Sequence, residues 1–138
     1  MKTIILAGGF GSRLDNLTKV IPKPLVKVHK YPILIYIMQI YISFGFTEFI
    51  IALGYKGEKI VEYFTKKRMT SSLKKKMRKG IKIKKKIKGK SCDITLVDTG
   101  KKSLTGGRLK RASKFVNEKT FFMTYGDGLA DINLKNLL

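Results

Sequence analysis

Cysteine, histidine and acidic side chains are all scarce in this chain of 138 residues. It contains one cysteine, Cys92, and one histidine, His29, and its 9 acidic residues stand against 30 lysines and arginines. A single cysteine excludes an intramolecular disulfide framework and is typical of a reducing, cytoplasmic environment. The sequence also shows no histidine-based or paired-carboxylate arrangement for general acid–base catalysis, and His29 is interpreted as a turn or edge residue.

Long apolar runs are absent as well. The first residues, Met1 and Lys2, are followed by a brief apolar run that ends at Gly8, which is too short for the apolar region of a signal peptide. The most apolar stretch, 33–46, is interrupted by polar residues and is shorter than the roughly 20 residues that a membrane span needs. We therefore expect a soluble, cytoplasmic protein with no membrane partner.

Positive charge is concentrated in one segment, although the whole chain carries a formal net charge of +21. Residues 66–90 contain many lysines and no acidic residue. We interpret this stretch as a solvated, low-complexity, lysine-rich insert. The alternative is a patch that binds nucleic acid or an anionic membrane surface. Nucleic acid is the weaker interpretation, because 66–90 has no aromatic residue to stack on bases and little arginine.

Strand and helix patterns alternate along the rest of the chain. The apolar runs predict strands over 3–6, 48–53, 94–97 and 121–124, and the intervening periodicity predicts helices over 33–44, 58–65 and 108–116. This alternation is typical of βαβ units, so we predict a single α/β domain with a mainly parallel sheet. Ligands of such sheets bind beyond the carboxyl ends of the strands, where the glycine-containing loops 8–13, 100–107 and 126–128 lie.

The first of these loops, Gly8-Gly-Phe-Gly-Ser-Arg13, directly follows an apolar strand. Glycines allow successive backbone N–H groups to surround an anion, and an arginine adds a forked donor for phosphate oxygens. The loop lacks the Lys-Ser/Thr ending of a P-loop and the spacing of a dinucleotide fingerprint. A tight strand-to-helix turn with a surface arginine remains an alternative.

Two further charged residues are candidates for the same site. Lys23 lies between Pro22 and Pro24, which should keep the segment extended and hold the lysine in place for a phosphate. Asp127 follows a predicted strand and is flanked by glycines, a position suited to holding Mg²⁺. A solvated lysine in a turn and an Asx turn are the respective alternatives.

Taken together, these motifs resemble those of a known family. Leu6-Ala-Gly-Gly-Phe-Gly-Ser-Arg-Leu14 with Pro22-Lys-Pro24 resembles the signature of the sugar-1-phosphate nucleotidyltransferases. Within that family, the segments 95–100, 105–111 and 124–128 are similar to those of glucose-1-phosphate cytidylyltransferases. The resemblance covers nearly all of 1–138 except the lysine-rich stretch. It implies the amino-terminal, nucleotide-binding part of a Rossmann-like three-layer α/β fold, incomplete because the family continues for about as long again.

The resemblance also implies the reaction CTP + α-D-glucose 1-phosphate → CDP-glucose + pyrophosphate, with Mg²⁺ as cofactor and a homo-oligomeric full-length enzyme. It implies catalytic roles for Arg13, on the leaving pyrophosphate, and Lys23, on the α-phosphate, and a metal-binding role for Asp127. The residues that it implies for nucleotide or substrate binding are Leu6, Ala7, Gly8, Gly9, Phe10, Gly11, Ser12, Arg13, Lys23, Ser103, Thr105, Gly106, Arg108, Gly126, Asp127 and Gly128. A thymidylyl- or guanylyltransferase, and a domain without activity of its own, are the alternatives.

Overall fold

A computed structural model describes residues 1–9 and 20–138 of the chain. The predicted site residues Phe10, Gly11, Ser12 and Arg13 lie outside these described residues. The strands are β1 (Lys2–Ala7), β2 (Lys27–Val28), β3 (Tyr31–Pro32), β4 (Glu48–Leu53), β5 (Ile81–Ile87), β6 (Lys90–Asp98) and β7 (Phe122–Tyr125). The α-helices are α1 (Ile33–Ser43), α2 (Gly57–Thr65), α3 (Ser71–Lys79) and α4 (Thr105–Ala112), and short 3-10 helices span Lys23–Leu25, Ser113–Phe115 and Leu134–Leu137.

Five strands of the described residues form the central sheet in the order β5-β6-β4-β1-β7. The pairs β1–β4, β1–β7 and β4–β6 are parallel, and β5 runs antiparallel to its neighbour β6. Central strands such as β1 and β4 are buried along nearly their whole length, which requires apolar residues on both faces. The predicted mainly parallel α/β sheet is confirmed.

Helices cover both faces of this sheet and divide the core in two. On one face α1 and α2 pack through Leu34, Met38 and Ile60 against sheet residues that include Ile5 and Ile51. On the other face Ala112 of α4 packs against a smaller cluster, which comprises Ile4, Leu6, Ile50, Ala52 and Val97. In the described part of the chain no helix has the length and apolarity to cross a membrane.

The lysine-rich segment differs from its prediction. It folds into α3 and β5, and Met77 and Ile87 are buried with 5% and 6% of their surfaces exposed. In β5 Ile81 and Ile83 also pack against the core, and Lys85 continues the same face half-buried, where its Nζ donates to the Phe64 carbonyl at 3.1 Å. Lys82, Lys84 and Lys86 lie on the other face and are exposed. The expectation of a solvated insert was therefore wrong, because its lysines masked a period-two apolar pattern that specifies an edge strand.

Helix α4 also begins earlier than its predicted first residue, Arg108. It starts at Thr105, which places Gly106 and Gly107 in its first turn. Paired glycines disfavour a helix intrinsically, but the burial of Arg108 and Ala112 against the sheet outweighs that preference. The shift matters for function, because it brings a helix N-terminus to the carboxyl ends of the strands.

The burial of Cys92 predicts how slowly its thiol reacts in the folded protein. This side chain in β6 is fully buried, and burial, reinforced by the charge of Asp93, raises the pKa of its thiol. We expect a disulfide reagent such as DTNB to react with Cys92 on the order of 1,000-fold or more slowly in the folded protein than in guanidinium, because only opened molecules expose the thiolate. Similar rates in the two conditions would show that Cys92 is accessible.

Candidate functional site

A cavity of about 260 Å³ lies at the carboxyl ends of β1 and β7, beside the loop that leads into α4. Its lining residues in the described part of the chain are Leu6, Ala7, Gly8, Gly9, Lys23, Pro24, Lys102, Ser103, Leu104, Thr105, Arg108, Tyr125 and Asp127. This is the edge of a parallel sheet at which ligands generally bind. The cavity is therefore lined by residues from all three glycine-containing loops, 8–13, 100–107 and 126–128.

The turn after β1 forms one wall. Gly8 lies at its start, and the Gly8 carbonyl accepts a hydrogen bond from the backbone N–H of Tyr55 at 3.2 Å. Among the described residues, no heavy atom would lie within 4 Å of a Cβ built on Gly9. A glycine turn anchored at Gly8 and left uncovered by the described side chains at Gly9 suits close approach by a phosphate.

Lys23 lines another side of the cavity, and the buried residues that follow it anchor its backbone. Pro22 is extended, but Lys23 begins a 3-10 turn in which Pro24 and Leu25 are buried. The prediction of an extended segment was therefore wrong beyond Pro22. The fixed φ of Pro24 is also compatible with a tight helical turn, and Leu25 N–H closes that turn on the Pro22 carbonyl at 2.9 Å.

The side chains of Lys23 and Asp127 form an ion pair, with Nζ 3.1 Å from Oδ2. The two groups to which the resemblance assigns the α-phosphate and the metal thus contact each other directly. Both are partly exposed, at 27% and 40% of the side-chain surface. Such an exposed pair is weak and can be exchanged when a stronger ligand arrives.

Arg108 lies beneath the cavity and is only 5% exposed. Its guanidinium donates to the carbonyls of Gly100 at 2.6 Å, Leu53 at 3.3 Å and Lys101 at 3.3 Å, and to Thr99 Oγ1 at 3.1 Å. Burial lowers the pKa of Arg108, an effect that Asp98 opposes and Arg111 reinforces. The group therefore ties strand ends together as well as contributing a fixed positive charge.

The third wall is the N-terminal end of α4. Ser103, Leu104 and Thr105 line it, and the N-cap residue Leu104 has no polar side chain to cap the first turn of the helix. The Ser103 hydroxyl is held by a hydrogen bond from the Arg111 guanidinium, which also donates to the Thr99 carbonyl at 2.6 Å. An uncapped helix start leaves backbone N–H groups as donors for an incoming ligand.

Most of the predicted site residues that the structure describes converge here. Those that line the cavity are Leu6, Ala7, Gly8, Gly9, Lys23, Ser103, Thr105, Arg108 and Asp127. Of the predicted residues that the structure describes, Gly106, Gly126 and Gly128 are not part of the lining. Gly126 has a packing role instead: a Cβ there would lie 3.2 Å from the Leu6 carbonyl oxygen and 3.3 Å from Pro24.

Four described lining residues were not among the predicted site residues. Pro24 follows Lys23 in the 3-10 turn, Lys102 and Leu104 lie in the loop before α4, and Tyr125 ends β7. The position of Tyr125 at the carboxyl end of a predicted strand is a usable sequence signal, because residues at that edge face the ligand. No comparable signal distinguishes Lys102 from the many other lysines.

The charges of the residues that line the cavity favour the binding of an anion together with a metal ion. Lys23, Lys102 and Arg108 are cationic and Asp127 is the one carboxylate among the described lining residues. The described residues contain no cluster of three or more histidine, cysteine, aspartate or glutamate side chains that could hold a metal alone. Mg²⁺ is commonly held by one or two carboxylates together with substrate phosphates and water. The residues thus fit Mg²⁺ that is shared between Asp127 and a polyphosphate.

The chain is similar to several known proteins. A probable glucose-1-phosphate cytidylyltransferase of Bacillus subtilis (strain 168) is 44% identical over 145 residues, covering 100% of this chain and 54% of the relative. The glucose-1-phosphate cytidylyltransferase of Salmonella typhimurium is 44% identical over 138 residues, covering 98% and 53%. The structure of HddC from Yersinia pseudotuberculosis complexed with GMP-PN matches with a TM-score of 0.69 at 25% identity, covering 99% of this chain and 52% of that one.

The chain thus spans about half the length of the relatives that it matches. The family description "nucleotidyl transferase" matches residues 2–138, which is almost the entire sequence. By this match, by the parallel sheet and by the residues gathered at its carboxyl edge, the chain belongs to the nucleotidyl transferase family.

Proposed function

We propose that this chain supplies the nucleotide-binding part of a glucose-1-phosphate cytidylyltransferase, which forms CDP-glucose and pyrophosphate from CTP and α-D-glucose 1-phosphate. The observation that carries the proposal is the convergence of the Gly8–Gly9 turn, Lys23 and Asp127 on one cavity. The 44% identity to two relatives named for this activity supports cytidine and glucose as the specific substrates.

In this reaction a phosphate oxygen of glucose 1-phosphate forms a bond to the α-phosphorus of CTP. The bond from that phosphorus to the α,β-bridging oxygen breaks, and pyrophosphate leaves with the electron pair. The attacking phosphate is already an anion and needs no general base, which fits a site without histidine among its described lining residues. Catalysis then rests on positioning and on neutralising charge.

The residues of this chain divide that work between them. Lys23 would turn from Asp127 towards the α-phosphate and neutralise the charge that builds there. Asp127 would hold Mg²⁺, which supplies charge neutralisation for the phosphates when bound. Ser103 and Thr105 would contact the cytidine from the start of α4, and the Gly8–Gly9 turn would hold phosphate oxygens. Arg13 stays a prediction for the leaving pyrophosphate, since it lies outside the described residues.

Nucleotide selectivity provides the experiment. The chain is titrated calorimetrically with CTP, GTP, UTP and dTTP in the presence of Mg²⁺. We expect CTP to bind most tightly, and any release of pyrophosphate from CTP to require glucose 1-phosphate. Preference for GTP or dTTP would indicate a guanylyl- or thymidylyltransferase instead. Failure of the folded chain to bind any of the four nucleotides would contradict the proposed function.

A further inference from the structure

Arg108 joins three neighbouring strands at the edge of the sheet where the cavity lies. Its guanidinium bonds to the carbonyl of Leu53, the last residue of β4, and to Thr99 and Gly100 immediately after β6. It also lies against Gly8, which follows β1. All four of its hydrogen-bond acceptors among the described residues are uncharged, so carbonyl and hydroxyl dipoles solvate the positive charge directly.

Two glycines make room for this guanidinium. A Cβ on Gly54, the residue after β4, would lie 2.7 Å from Arg108 Cζ, and a Cβ on Gly8 would lie 2.5 Å from the same atom. Real Cβ atoms do not approach other heavy atoms so closely. Neither glycine has a φ in the left-handed region, so the backbone conformation does not itself demand glycine there. The three heavy atoms nearest to a Cβ at position 54 all belong to the Arg108 guanidinium, which four hydrogen bonds hold in place.

We propose that Gly54 is a positioning residue of the nucleotide site, acting through Arg108. Its missing side chain lets the guanidinium lie flat across the ends of β4 and β6 and against Gly8. The guanidinium in turn fixes the Gly8–Gly9 turn relative to the start of α4 and keeps its charge at the floor of the cavity. Among the described residues Gly54 is not part of the cavity lining, so its effect on a ligand is indirect. The inference rests on the proposed nucleotide-binding function.

The test is a double-substitution cycle with CTP·Mg²⁺ affinity as its readout. Gly54→Ala should weaken CTP binding about 10-fold, because the new methyl group displaces the guanidinium into the cavity and misplaces the turn. Arg108→Leu, which lacks the atoms that clash, should weaken binding by itself. Adding Gly54→Ala to Arg108→Leu should then change the affinity less than two-fold. The proposal would be overturned if Gly54→Ala lowered the CTP affinity of the unaltered chain and of the Arg108→Leu variant equally, or if it did not lower the affinity of the unaltered chain.

Lys110→Ala is the control. This lysine is exposed, lies two positions after Arg108 in α4, and is not among the described residues that line the cavity. We expect its effect on CTP affinity to be less than about two-fold in ordinary salt, because exposed charges are screened. A loss of affinity like that of Gly54→Ala would mean that any substitution near Arg108 disturbs binding, and would remove the special role of Gly54.

Two further outcomes are decisive. If Gly54→Ala fails to fold, the proposal requires Arg108→Leu to restore folding to the double variant, and a double variant that remains unfolded would overturn it. If the unaltered chain binds no nucleotide, the proposed function fails. The urea unfolding midpoints of the four proteins would then still test the contact, because they must show the same non-additivity.

Discussion

Replacement of Lys23 by alanine is expected to weaken the binding of CTP·Mg²⁺ to this chain about 10- to 100-fold. A charge-assisted hydrogen bond between an ammonium group and a phosphate contributes roughly 1.5–3 kcal/mol, which corresponds to that range. Lys23 is well placed to make one, because its backbone is anchored by buried Pro24 and Leu25 while Nζ reaches the cavity. Titration calorimetry of the variant and the unaltered protein measures the difference.

Lys27→Ala is the control for this substitution. Lys27 is an exposed residue of β2, only four positions further along, so its loss removes the same charge without altering the cavity lining. We expect its effect on CTP affinity to be less than about two-fold in ordinary salt, because exposed charges are screened. Equal losses for the two variants would show that Lys23 acts only through the net charge.

The same Lys23→Ala variant should change metal binding in the opposite direction. Lys23 Nζ forms an ion pair with Asp127 Oδ2 at 3.1 Å. Removal of the lysine frees the carboxylate, so Mn²⁺ alone, followed by electron paramagnetic resonance, should bind a few-fold more tightly, as an exposed ion pair is worth up to about 1 kcal/mol. Weaker binding of both Mn²⁺ and CTP would mean that Lys23 merely supports the local fold.

The second large effect concerns the lysine-rich segment. Ile87→Ala should lower the free energy of unfolding by about 2–4 kcal/mol, because it removes a side chain that is 94% buried at the end of β5 and leaves a cavity. The neighbouring Lys86→Ala should change it by no more than about 0.5 kcal/mol, since Lys86 faces solvent. Urea unfolding of the two variants provides both values.

The substitutions at these two positions test whether the lysine-rich segment 66–90 is part of the folded core or is solvated. Equal and small effects of Ile87→Ala and Lys86→Ala would show that 66–90 contributes nothing to the core. The expected difference instead reflects the antiparallel ladder by which β5 covers β6, with Ile83 opposite Ile94 and Ile87 opposite Lys90. Without β5, the buried residues of β6 would lie at an exposed edge of the sheet.

Sequence reasoning was most successful for the central strands. Ile4, Ile50 and Leu96 lie in continuous apolar runs bounded by polar or glycine residues, and this pattern suits a strand that helices cover on both faces. It was least successful for β5, because lysines at alternate positions and in a run at 84–86 dominate the composition. Period-two burial depends on which face meets the core, and composition does not contain that information.

The site shows the same division. The positions of Gly8 and Asp127 after predicted strands indicated that they would meet, because the carboxyl ends of parallel strands share one edge, and the resemblance added Lys23 to the same site. The ion pair between Lys23 and Asp127 was not predicted, since it depends on the 3-10 turn that Pro24 and Leu25 bury. Arg108 was predicted only as one of the binding residues, and its burial beneath the cavity emerged from the packing of α4.

By itself, then, the sequence determined the parallel sheet, its carboxyl-edge loops and the chemistry of the residues on them, because local apolar runs and glycine turns act over a few neighbouring residues. Only the tertiary structure decided that the edge strand β5 packs its isoleucines against the core, that Lys23 forms an ion pair with Asp127, and that Gly54 leaves space for the Arg108 guanidinium. Each of these depends on atoms from segments distant in the chain, with 104 positions separating Lys23 from Asp127 and 54 separating Gly54 from Arg108. Contacts of that kind exist only once the chain has packed.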